Sequence, residues 1–187
     1  MLNKEYNDPE SRLQGWNAYI QQVLGPFIPE ATWFLFGLAG LDSGLIRKER
    51  ELLAKYKDPT HADLSIKERT DHNTFSILWV FGAYEVVRTM HQRLRRHASV
   101  AVQNSELCFR IGDLKARFER VRIPLAKFET PARFPTDSGV AIPGIDFDKG
   151  ATWFVTPTEH ITRRELSDSL LEILTRWSDW IQKPHTP

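Results

Sequence analysis

Three residues have the types and the spacing to do chemistry together: Glu85, Arg88 and His91. They follow one another at steps of three in an apolar stretch, so on a helix successive members lie about 60° apart and share one wide face. A carboxylate, a guanidinium and an imidazole in partial burial are what acid–base work on a phosphodiester needs. Glu85 or His91 would move a proton, and Arg88 would hold the developing charge. The plainer reading of the same residues is a structural ion pair between Glu85 and Arg88 where the helix leaves the core, with His91 beside it. A buried pair of that kind would make Arg88→Ala cost several kcal/mol.

Around these candidates lies positive charge. From Arg88 to Arg133 there are 11 Lys or Arg against 4 Asp or Glu, a net of +7, which leaves −6 for the rest of a chain whose total is +1. Arg93, Arg95, Arg96, Arg117 and Arg120 are the candidates for contact with an anion or a nucleic-acid backbone. The alternative is that these charges sit on solvated helix faces and pair with the acidic terminal parts, since no pure Lys/Arg run is present.

Other reactive side chains match no signature. His61, Asp63, Asp71 and His72 lack a helix-borne pair such as HExxH and a cysteine partner, so no metal is expected. Gly37, Gly40 and Gly44 match neither a P-loop nor a dinucleotide fingerprint. Such glycines let a neighbouring helix approach closely or form a loop around an anion, and no cofactor is expected. Cys108 follows the inward Leu107 and is read as packing, and Ser43 lacks a GxSxG frame. The six tryptophans are read as core and flap anchors rather than a base-stacking platform.

The elements that would position these residues are mostly helical. Asp8-Pro9-Glu10-Ser11 opens a first helix with Leu13, Trp16, Ile20, Val23 and Leu24 inward, and Gly25-Pro26 is expected to stop it. Ala31–Leu41 is expected to be buried because of Trp33, Phe34, Leu35 and Phe36. Leu45–Tyr56 reads as a charged amphipathic helix. Ser65-Ile66-Lys67-Glu68 has the capping-box pattern and opens a helix that either runs unbroken to His97 or restarts near Asp71-His72-Asn73. Its stretch Phe75–Val87 is apolar on nearly every side, which places it in the middle of a bundle. Leu107, Ile111, Leu114, Phe118 and Val121 form a one-sided helix antiparallel to it, ended or kinked by Pro124.

From Ile123 to Pro157 five prolines exclude long regular elements. Val140–Phe147 and Trp153–Val155 read as two short strands joined by a turn at Asp148-Lys149-Gly150. Thr162-Arg163-Arg164-Glu165 is a second capping box, opening a last helix with Leu166, Leu170, Ile173, Leu174, Trp177 and Ile181 inward. The expected fold class is mainly α: a single domain over 1–187, a bundle of about five helices around a central apolar helix, with a small β-hairpin or ordered loop before the last helix.

A composition 41% hydrophobic and 26% charged is that of a globular protein. The single cysteine excludes an intramolecular disulfide and fits a reducing compartment, and the polar, acidic N-terminus is wrong for a signal peptide. No apolar run reaches the length of a membrane span. The expectation is a cytoplasmic, non-enzymatic interaction or regulatory module, with an unidentified protein partner or self-association. The alternatives are an enzyme acting on nucleic acid or a phosphorylated ligand through Glu85, Arg88 and His91, and non-catalytic nucleic-acid binding through the basic middle third.

Overall fold

Five helices and a small sheet emerge from these patterns in a computed structural model, which describes residues 7–57, 66–96 and 105–182. Ser65, His61, Asp63 and His97 lie outside the described residues. Helix α1 (Pro9–Tyr19) is capped by Asp8, whose carboxylate accepts from Ser11 N at 3.0 Å. Gly25-Pro26 does not stop it. The helix widens by one residue per turn over Ile20–Leu24 and continues through Gly25–Phe27. A Cβ on Gly25 would stand 2.7 Å from the Ile20 carbonyl oxygen, so glycine is what admits the wide turn.

After a single tight turn at Pro29–Ala31, helix α2 runs without interruption over Thr32–Lys57. The expected burial of Ala31–Leu41 is therefore corrected. Leu35 is buried, but Trp33 is 89% exposed and Phe34 50% exposed. A helix has one buried stripe, and Leu35, Leu38, Ala39, Leu45, Ile46 and Leu52 occupy it. Trp33 falls on the opposite side with Gly37, Gly40 and Gly44, where a Cβ would meet nothing within 4 Å.

Helix α3 (Ile66–Arg96) is continuous, with no restart at Asp71-His72-Asn73. It runs antiparallel to α2: Gly82 faces Phe34 and Leu38, while Lys55 near the other end of α2 bonds Glu68. Trp79, Val80, Ala83, Val87, Met90 and Leu94 are buried, yet Phe75 and Leu78 stand half exposed. The helix is thus not covered all round, and lies open where Phe75 and Leu78 stand. Helix α4 (Ser105–Lys127) packs against it through Leu107, Ile111, Leu114, Phe118 and Val121, all buried as their spacing predicts. Pro124 is accommodated inside the helix, which ends three residues later as Phe128 takes a left-handed φ of 58°.

The proline-rich segment folds into an antiparallel sheet of three strands: β1 (Ile142–Asp146), β2 (Gly150–Phe154) and β3 (His160–Thr162). The hairpin turn lies where expected. The Asp146 carboxylate accepts from the backbone of Asp148 and Lys149, and Gly150 supplies a φ of 81°. The third strand is an addition; at three residues it is too short to show alternation. Helix α5 (Arg163–Gln182) opens on the reciprocal capping box, with Thr162 N donating to Glu165 and Glu165 N donating to Thr162 Oγ1. Its inward stripe holds except for Ile181, which is exposed.

Candidate functional site

On α3 the three candidates do not form one cluster. Arg88 Nε donates to Glu85 Oε2 at 2.7 Å, but the side chains are 39% and 46% exposed, so this is a surface ion pair. His91, almost one turn on, lies in a separate shallow cleft with Cys108, Gly112, Asp113, Lys115 and Arg133. Burial, then the nearby Lys115 and Arg95, lower its pKa, which keeps the imidazole neutral. Burial raises the Cys108 thiol, away from the thiolate a nucleophile needs.

The arginines divide. Arg120 is bound at both ends of its fork, to Asp137 at 2.7 and 2.8 Å and to Glu159 at 2.5 and 2.7 Å, and stacks over Phe134. These carboxylates raise its pKa further. Arg93 holds the Phe27 carbonyl and Glu30. Arg117 donates to Ser169 Oγ at 3.2 Å in a cleft of about 430 Å³ that also presents Glu106, Asp113 and Glu172. Only Arg95 and Arg96 of the five stand exposed at the helix end.

The densest polar cluster is one that no sequence pattern announces. Asp42 of α2, fully buried, accepts from Arg12 Nε at 2.5 Å, Trp16 Nε1 at 2.8 Å, Arg163 Nη1 at 2.5 Å and Ser167 Oγ at 2.8 Å. Glu49, two turns along the same helix, accepts from Arg163 Nε at 2.9 Å and Nη2 at 2.8 Å, with Arg164 Nε at 3.4 Å and His72 Nε2 at 3.6 Å. Arg12 also reaches Asp168 at 2.7 Å, so three guanidiniums meet three carboxylates across α1, α2 and α5. Arg163 lies over the Trp79 ring, tying in α3.

Electrostatics follow from burial and pairing. Burial works to raise the Asp42 carboxyl, but Arg12 and Arg163 outweigh it and hold the group below its ordinary value. For Glu49 burial wins over Arg163 and Arg164, and its pKa is raised. Burial, with Arg163 and Lys48 nearby, pushes His72 down to about 4, so it is neutral at physiological pH. Asp42, Glu49, Arg163 and His72 have almost no solvent contact, which leaves a substrate no approach. The network can fix four helices; its inner members are closed to solvent, and Asp168 and Arg164 at its edge are partly exposed. Among the described residues no three His, Cys, Asp or Glu side chains converge on one point as metal ligands.

What the structure does leave open is apolar. At 100° per residue, Trp33, Gly37, Gly40, Gly44 and Arg47 fall within about 80° of arc on the outer side of α2. From Trp33 to Gly44 no exposed residue of α2 is charged. Phe34, Phe75 and Leu78 stand half exposed beside it on the paired helices. The glycine spacing is that of a helix-approach surface, whereas the apolar run around it points the aromatics to the core. The i, i+4, i+7, i+11 spacing of Trp33 with the glycines was the available signal.

Compared with known proteins, the chain matches no family model, no curated protein and no solved structure.

Proposed function

We propose that this chain is a non-enzymatic interaction module that works through the outer face of the α2–α3 pair. The observation that carries the reading is Trp33, 89% exposed at the end of an uncharged, glycine-lined helix face. A large aromatic in water beside an open row of glycines is an unsatisfied contact, and exposed apolar surface of this kind marks association sites. The enzymatic reading draws less support, because Glu85 and Arg88 pair at the surface and His91 lies in another cleft. The nucleic-acid reading loses most of its arginines to intramolecular partners. A partly buried Cys108 as the sole thiol suits a reducing, cytoplasmic setting.

The test is a photo-crosslinking residue at position 33 in cells, with position 176 on α5 as control. A discrete protein adduct from 33, absent from 176 and lost in a Gly40→Leu background, is expected. Absence of any adduct from 33 would overturn the reading.

A further inference from the structure

We infer that the occupant of this face is a second copy of the same chain, packed antiparallel along α2 about a two-fold axis between Gly37 and Gly40. This rests on the reading of the face given above and adds its partner. A two-fold interface must be complementary to itself, so one patch has to carry both a projection and the recess that receives it. The α2 face does. Its projection is Trp33 and its recess is the row of glycines, where a Cβ would find open space.

Register then follows from sequence spacing alone. Setting Gly37 against Gly40 of the second copy brings Trp33 opposite Gly44 and Phe36 opposite Leu41. Phe36 already lies 6.4 Å from the Trp33 ring, so the aromatic pair would close over the partner's glycine row as one unit. The same register sets Glu30 opposite Arg47 at both ends of the contact. Both side chains are about 60% exposed; of their present partners Glu10 is at the surface and Arg93 is partly buried. Reversing the helix direction or shifting by one turn loses this charge match. The exposed portions of Trp33, Phe34, Phe75 and Leu78 amount to on the order of 500 Å² per protomer, about 1,000 Å² in the pair, the lower bound for a specific interface. A reversible dimer is what that area supports.

Light scattering on the purified chain, from micromolar to hundreds of micromolar, tests the inference. Mass is expected to rise toward twice the 21.7 kDa of the chain. Gly40→Leu fills the recess with a better helix former, so it should hold or raise the melting temperature and abolish the dimer. Arg47→Glu should weaken dimerisation about tenfold, because both symmetry-related pairs turn repulsive. Glu30→Arg with Arg47→Glu should restore it. A monomer at every concentration, or a dimer that Gly40→Leu leaves intact, overturns the second copy as occupant. A crosslinked adduct from position 33 to a different chain would then leave the interaction module standing without self-association.

Discussion

Arg163 and Arg88 show how burial decides the worth of an ion pair. Both hold a glutamate at close to 2.7 or 2.8 Å, one inside and one at the surface. Replacing Arg163 with Met would leave buried Glu49 with only Arg164 at 3.4 Å, while Asp42 keeps Arg12, Trp16 and Ser167, and a loss of about 3–5 kcal/mol is expected. Arg88→Ala should cost less than about 1 kcal/mol, because water replaces the lost partner. Denaturant melts of the two variants check both. His72 supplies a prediction in pH. Its folded pKa, about 4, lies below the ordinary 6.5, so between those values the unfolded chain binds the extra proton. Stability from this group is complete above pH 6.5 and is lost as pH falls through 4, amounting to about 3 kcal/mol. Glu49 beside it shifts the other way, its raised pKa making folding bind a proton and opposing the trend above pH 4.5. Comparison with His72→Asn isolates the histidine: the wild type should lose stability relative to the variant on going from pH 7 to pH 4. Parallel curves would show that His72 is not held neutral.

At the scale of elements, Gly150 joins the sheet to the network. Its φ of 81° closes the hairpin, and a Cβ there would stand 2.6 Å from Glu49 Cγ and Cδ. Gly150→Ala should therefore cost about 2 kcal/mol or more, through backbone strain and displacement of a buried carboxylate. A melting temperature within a degree of wild type would contradict this. The sequence announced the turn, and both ends of the last helix's capping box, because local hydrogen bonding determines them. It did not announce that Asp42, Glu49 and Arg163 meet, since they come from positions far apart and each looks like an ordinary charge on a solvated face. The same limit applies to Trp33, Phe34, Phe75 and Leu78. In a run where nearly every residue is apolar, periodicity does not say which side faces the core, and only the packing of α2 against α3 settles it.

For the whole molecule, the surplus of positive charge between Arg88 and Arg133 is largely consumed within the fold. Arg120 is taken by Asp137 and Glu159, Arg93 by Glu30, Arg88 by Glu85, and Arg110 reaches Glu172, all acids outside the counted segment. These pairs carry basic helices onto acidic neighbours, so the +7 counted along the chain is not presented as one surface. Arg95 and Arg96 remain at the exposed end of α3, and Lys127 and Arg133 stand exposed at and beyond the end of α4, enough for about four phosphate contacts. A slope of log K against log salt no steeper than about −4 is then what this region supports, with little affinity at about 200 mM salt. Fluorescence anisotropy with a single-stranded RNA and a DNA duplex, at about 50 and 200 mM salt, measures it. A slope steeper than about −5 requires six or more neutralised phosphates, which would mean that the paired arginines give up their carboxylates on binding. In that event the basic third would be a nucleic-acid surface held shut by its own acids. A shallow slope would leave the uncharged face of α2 as the surface on which function turns.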